Sequence, residues 1–338
     1  MAGMRYRQLG RTGLRVTPLC LGTMTFGLQC DEATSFGILD RAFEAGIDFI
    51  DTADAYPLGG DVSTTGRTEE IIGRWMKARD NRDRIVLATK CFAATGPGAN
   101  DNGLSRYHIH RAVDDSLRRL QTDVIDLYQV HGFDPRVPVE ETLRALDDLV
   151  RWGKVRYVGC SNYPAWRLGE ALWASDRLGI ARYDCLQPRY NLLYREIETE
   201  LLPLCRSQGL GVIVYNPMAG GFLSGKYRKG EEPLEGTRFT LGTAAQRYQE
   251  RYWQDAMFDA VDELRGACES RNVAMASVAV AWAIAQPGVT SAIVGASRPE
   301  QLDASLAALD VELDEGLRAA CEAAWWALPR RPVLEGYR

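Results

Sequence analysis

The sequence predicts a closed (β/α)₈ TIM barrel, on three observations. Eight short apolar runs of strand length recur along the chain, most of them rich in β-branched or aromatic residues. Longer amphipathic stretches separate them, and this alternation implies a parallel sheet. Eight repeats in a chain of 338 residues suit one closed barrel of roughly 250 residues with insertions better than an open sheet.

In chain order, "MRYRQLGRTGLRVTPL" shows period-two patches broken by "GRTG", so it reads as a hairpin closing the barrel bottom. The strand runs follow at 17–22, 47–51, 84–90, 126–131, 155–161, 183–187, 211–216 and 290–295. Between them, 31–46 brings Phe36, Ile38, Leu39 and Phe43 near one helical face, with Gly46 placed to end it. Ser105 is a good N-cap for a helix over 105–121. A helix over 138–154 opens with Pro and acids and stops at Gly153. Another follows the last run at 300–310. The longest irregular segment is 216–254, after the seventh run, and long ordered loops are usually functional. With no linker or low-complexity stretch, 1–338 reads as a single domain.

Composition narrows the function. Hydrophobic residues make up 46% and charged residues 25%, which supports one large core. The formal charge of −5 and the lack of a basic stripe argue against a nucleic-acid partner. No apolar segment reaches bilayer length, and no apolar run follows the basic opening as a signal peptide would require. A cytoplasmic location is therefore expected. The eight cysteines stand singly, without a C-x-x-C pair, and read as small buried hydrophobes. His108 and His110 are two apart, off a shared helical face, so no metal site is expected. No G-x-G-x-x-G follows an early strand, which argues against a Rossmann domain.

Active sites of such barrels gather at the C-terminal ends of the strands. Those ends read Asp51 with Tyr56 beyond it, Lys90, His131, Ser161-Asn162, Gln187 and Tyr215. Singly, each has an ordinary structural explanation; convergence on one barrel mouth points to a site. A free tyrosine near pKa 10 is a poor acid at neutrality, and a nearby ammonium favours its phenolate. Lys90 supplies that ammonium, Asp51 holds it, and His131 hydrogen-bonds a substrate oxygen. Such a set protonates an alkoxide as it forms. The hydride that completes a carbonyl reduction must come from a cofactor.

"FIDTADAY" (49–56), "ATK" (88–90), "DLYQVH" (126–131), "GCSNY" (159–163), "YNPMAGGFLSGKY" (215–227) and "GASRPEQL" (295–302) together resemble the aldo-keto reductases, in the branch that includes potassium-channel beta subunits and keto-sugar reductases. The resemblance covers nearly the whole chain. It implies an NADP(H)-dependent oxidoreductase acting on CH–OH donors, with a small-molecule carbonyl substrate that is sugar-derived or a secondary metabolite. Tyr56 would be the general acid, supported by Lys90 and Asp51, with His131 orienting the carbonyl. Ser161, Asn162 and Gln187 would hold the nicotinamide carboxamide, and Tyr215 would stack on its ring. Gly22, Thr23, Met24 and Asp51 would border the cofactor at the first strands. Asn216, Pro217, Met218, Ala219, Gly220, Gly221, Leu223, Gly225 and Lys226 would fold over the pyrophosphate. Arg238, Gly295, Ser297, Arg298, Gln301 and Ser305 would meet the adenosine end. A helix starting near Pro299 would add a positive N-terminus there, and Arg298 a forked donor suited to phosphate.

Two departures stand out. Ala304-Ser305 replaces the family's usual Glu-Asn, so the adenine grip should differ, and the strength of the preference for NADP over NAD does not follow from the resemblance. Asn216 replaces the usual Ser before Pro217. "TGPGANDNG" (95–103) is a candidate substrate loop, and Met24, Tyr163, Trp253 and the C-terminal Trp325-Trp326 are candidate pocket walls. Two alternatives compete with the enzyme: an NADP(H)-binding regulatory subunit with little turnover, and a P-loop nucleotidase. "GGFLSGKY" (220–227) nearly spells the P-loop, with Tyr227 where that motif needs Ser or Thr. The pattern assigns no oligomeric state.

Overall fold

The computed structural model of the chain describes residues 4–329. Strands β1 (Arg7–Gln8) and β2 (Arg15–Val16) pair antiparallel as a hairpin. Eight further strands close a parallel barrel in chain order: β3 (Leu19–Gly22), β4 (Phe49–Asp51), β5 (Val86–Cys91), β6 (Ile125–Val130), β7 (Val155–Ser161), β8 (Cys185–Gln187), β9 (Gly211–Val214) and β10 (Ser291–Gly295), with β10 pairing back onto β3. All eight coincide with the apolar runs to within two residues at each end.

Helices α1 (Glu32–Glu44), α2 (Arg67–Arg79), α3 (Arg106–Leu120), α4 (Val139–Arg151), α5 (Ala165–Leu178) and α6 (Leu201–Gln208) follow β3 to β8 in turn. After β9 come α7 (Ala245–Tyr252), α8 (Asp255–Glu269) and α9 (Met275–Ala285); after β10 come α10 (Leu302–Ala307) and α11 (Glu315–Trp326). Asp31 caps α1 by accepting from the Thr34 N–H, and Ser105 caps α3 by accepting from the His108 N–H. α9, "MASVAVAWAIA", is buried nearly all round and so shows no amphipathic period.

The barrel interior is layered, because side chains of a strand alternate between its two faces. Leu9 and Val16 of the hairpin region plug the bottom, packing against Cys20, Phe49, Ala88, Leu127, Cys185 and Ile213. Two residues further along the same strands stand Gly22, Asp51, Lys90, Gln129, Gln187 and Tyr215. An apolar floor and a polar layer thus follow from one register, and the hairpin closes the bottom as expected.

Two expectations need correcting. The segment after β9 is not irregular: 3₁₀ turns at Ala219–Ser224 and Gly242–Ala244 and helix α7 occupy much of it. The helix expected near Pro299 begins as a three-residue 3₁₀ turn, Pro299–Gln301, leading into the six-residue α10. A second 3₁₀ turn, Ala308–Asp310, continues it, so helical backbone covers the expected 300–310 with 3₁₀ geometry at both ends.

Candidate active site

The polar layer is tied together around Asp51. Lys90 Nζ donates to Asp51 Oδ2 at 2.6 Å and to the Thr52 carbonyl at 2.7 Å. Lys90 is wholly buried and Asp51 nearly so, which makes this a desolvated ion pair. The other carboxylate oxygen accepts from Gln187 Nε2 at 2.8 Å and Gln129 Nε2 at 3.2 Å. Burying a charged pair is favourable only when its remaining lone pairs are satisfied, and here both oxygens are engaged.

Tyr56 reaches this cluster because the chain continues along β5 after β4 ends. Thr52 N–H donates to the Ala88 carbonyl, and Asp54 N–H to the Lys90 carbonyl at 3.0 Å. The turn beyond places the Tyr56 ring 5.1 Å from Lys90 Nζ, centroid to nitrogen. His131 meets the Tyr56 ring edge-on at a centroid distance of 5.9 Å. Burial, reinforced by the Lys90 charge, lowers the His131 pKa to about 3, so the imidazole is neutral near pH 7. A neutral imidazole can donate its one N–H to a carbonyl oxygen without adding charge beside Lys90. Asp51, Tyr56, Lys90 and His131 are therefore brought together.

A second network lines the mouth from β7 to β9. Ser161 Oγ donates to the Gln187 carbonyl, and Asn162 Nδ2 donates to Ser161 Oγ and to the His131 carbonyl. Tyr215 OH donates to Asn162 Oδ1 at 2.8 Å. Asn162 holds φ +58, a left-handed backbone that asparagine tolerates better than most residues.

The segment 216–227 follows directly after β9 and Tyr215. Asn216 lies at φ +63, its carbonyl accepting from Asn191 and its buried Nδ2 without a partner. Pro217 is buried and Met218 partly so; Ala219, Gly220, Gly221 and Gly225 all have left-handed φ. Only glycine fits at 220, since a Cβ there would lie 2.6 Å from the Tyr248 ring; at 221 the space is open. Leu223 is buried and Lys226 exposed.

Tyr227, at the P-loop's Ser/Thr position, packs in an aromatic cluster with Trp253 at 5.0 Å and Phe239 at 5.2 Å. Phe222 joins the same cluster against Phe258. No helix starts at Lys226, so the P-loop architecture of strand, loop and helix is absent here. The resemblance to a P-loop ends at spacing.

Among the residues expected at an adenosine, Arg238 Nη1 approaches Met24 Sδ at 3.4 Å and Tyr248 OH at 3.2 Å, bridging the far loop to the end of β3. It also lies close to Gly295. Gln301 Oε1 accepts from the Ser297 N–H, Arg298 is exposed, and Ser305 Oγ is buried without a partner. Gly22 closes against Ile293, and Thr23 Oγ1 donates to the Asp51 carbonyl.

The remaining candidates have these surroundings. Tyr163 is buried against Tyr183 rather than exposed as a wall, and Trp253 belongs to the aromatic cluster. Trp326 is exposed at the end of α11. The 95–103 loop is closed on itself, Thr95 and Gly98 both bonding Asp101. His108 is buried and His110 pairs with Asp148 and Trp152. Among the described residues, no group of three or more His, Cys, Asp or Glu could hold a metal ion, and no helix is long and apolar enough to cross a membrane. Sequence reading missed Gln129; its signal was a polar residue at an inward barrel position two before His131.

Comparison with known proteins agrees with this geometry. The chain is 40% identical over 317 residues to an uncharacterized oxidoreductase, YrpG, of Bacillus subtilis, spanning 92% of this chain and 93% of that protein. It is 37% identical over 311 residues to a probable voltage-gated potassium channel subunit beta of Arabidopsis thaliana, spanning 91% and 92%. It is 36% identical over 317 residues to the norsolorinic acid reductase stcV of Emericella nidulans, spanning 90% and 76%. Residues 18–325 match the profile of the aldo/keto reductase family, so with its closed barrel and polar mouth this chain belongs to that family of oxidoreductases.

Proposed function

We propose that this enzyme is an NADPH-dependent reductase of aldehydes or ketones, and that Tyr56 is its general acid. One observation carries the reading: the buried Lys90–Asp51 pair ends 5.1 Å from the ring of Tyr56, with neutral His131 at its edge. Lys90 stabilises the phenolate left when Tyr56 gives up its proton, and Asp51 keeps that ammonium in place. His131 orients the carbonyl by a hydrogen bond and adds no charge. Gln129 and Gln187 fix the carboxylate that fixes the lysine.

The residues over the mouth suit a dinucleotide. The unpartnered Asn216 amide, the open backbone at Gly221 and exposed Lys226 suit a pyrophosphate. Ser161 and Asn162 stand ready for a carboxamide, Tyr215 for the ring, Ser297, Arg298 and Arg238 for a 2′-phosphate, and the buried Ser305 hydroxyl for the adenine edge. When bound, the cofactor supplies the hydride that no side chain can. We read 1–338 as one domain, working in the cytoplasm on a small carbonyl compound, sugar-derived or a secondary metabolite.

The likeness to a potassium channel beta subunit keeps a second reading in view, NADP(H) binding with little turnover. Consumption of NADPH with 4-nitrobenzaldehyde or a dicarbonyl, followed at the nicotinamide absorbance, supports the enzyme. NADPH binding without turnover across a carbonyl panel that includes keto-sugars favours the regulatory reading. Equal affinity for NADH and NADPH would refute the 2′-phosphate role of Arg298.

A further inference from the structure

A second buried charge system lies behind the site, on the outer face of the barrel wall, and the chemistry above does not use it. β5 serves both systems, one on each face. Lys90 points inward to Asp51, while the preceding Thr89 points outward and its Oγ1 donates to Glu69 Oε1 at 2.6 Å. Glu69 belongs to α2 and is wholly buried. Its other oxygen accepts from Arg119 Nε of α3 at 2.7 Å.

The Arg119 side chain then passes against Gly66, the residue that caps α2. A Cβ on Gly66 would lie 2.5 Å from Arg119 Cδ and 2.7 Å from its Nε, so only glycine admits the arginine there. Gly66 holds φ +85, and its N–H donates to the Tyr56 carbonyl at 3.1 Å. Contacts therefore run without a break from Thr89 through Glu69, Arg119 and Gly66 to the backbone of Tyr56. Asp54 shares this layer. Burial, and then the Glu69 charge, push its carboxyl well above the usual range.

We propose that Glu69 and Arg119 are positioning residues for Tyr56, setting the placement of the phenol from outside the barrel. This rests on the reading of Tyr56 as the general acid. Glu69 and Arg119 lie on α2 and α3, and the cofactor residues proposed above lie mainly at and beyond the C-terminal ends of β7, β9 and β10, with Gly22, Thr23 and Met24 at the end of β3. A positioning defect should therefore lower kcat and leave NADPH affinity alone. A displacement of about 1 Å is enough to lower a rate about 10²-fold.

The test is a double-mutant cycle on the full chain with Glu69→Gln and Arg119→Met, reading kcat, the NADPH dissociation constant by fluorescence, and melting temperature. Each single variant should lose kcat about 10²-fold with NADPH affinity unchanged, and the double variant should lose no more than the worse single one, because the pair acts as a unit. Undiminished kcat in either single variant, additive losses, or NADPH affinity falling in step with kcat would overturn the proposal. If a single variant fails to fold, the charge-neutral double variant decides: reduced kcat supports the role and retained kcat ends it. The unsubstituted enzyme keeps the two ideas apart. If it binds NADPH and reduces no carbonyl, the general-acid reading fails; if it turns over and the variants do too, only the positioning role fails.

Discussion

Replacing Lys90 by methionine should separate the two tasks assigned to this lysine, holding Asp51 and biasing Tyr56. Taking the ring centroid, about 5 Å from Lys90 Nζ, as the centre of the phenolate charge, the ammonium is worth about 3 kcal/mol at an effective dielectric near 20. Asp51 lies beyond the ammonium and takes back part of that. The remainder still corresponds to a loss of about 10²-fold in the chemical step.

The same substitution leaves Asp51 buried with only the amides of Gln129 and Gln187 for company. Removing one partner of a buried ion pair typically destabilises by about 3–5 kcal/mol. The double variant Lys90→Met/Asp51→Asn removes that orphaned charge. Denaturant unfolding should show stability falling in the single variant and largely returning in the double. Single-turnover oxidation of NADPH with an aromatic aldehyde should stay slow in both. If activity returned together with stability, Lys90 would matter only through folding, and its electrostatic role at Tyr56 would be refuted.

Further predictions concern pH and the phosphate side. His131 has a folded pKa near 3 against an ordinary 6.5, so the unfolded chain binds the extra proton between those values. Its contribution to stability is present above pH 6.5 and is lost as pH falls toward 3, at up to about 1.4 kcal/mol per pH unit. His131→Gln should flatten that part of the unfolding midpoint against pH; an unchanged slope would show that the imidazole is not what titrates. Gly220→Ala places a Cβ 2.6 Å from the Tyr248 ring at φ +71, a strain of about 1–2 kcal/mol. NADPH titration should then show affinity weakened severalfold with little change in the chemical step. Unaltered affinity would detach the 216–227 segment from the cofactor.

The fold was legible because alternation in these strands is strict. Cys20, Phe49, Ala88, Leu127, Cys185 and Ile213 build the floor, and the residues two positions on build the site, so reading strand ends located it. Helix α9 carried no readable period because it is apolar on every side. Gln129 escaped because it lies inside the strand run rather than at its end. Glycine spacing in "GGFLSGKY" suggested a phosphate loop, yet Phe222 and Tyr227 are anchors whose partners, Phe239, Trp253 and Phe258, lie up to a helix away in sequence. No local pattern reveals such contacts. Nothing local in the sequence singles out Glu69 or Arg119, and only the packing of α2 and α3 beside β5 buries them together.

The general-acid assignment can be tested by removing a single oxygen atom. Tyr56→Phe keeps the ring beside Lys90 and His131 and deletes the acidic hydroxyl. Single-turnover measurement with NADPH and 4-nitrobenzaldehyde should show cofactor bound with undiminished affinity and carbonyl reduction abolished. Reduction at the rate of the unsubstituted enzyme would contradict the mechanism proposed for this site.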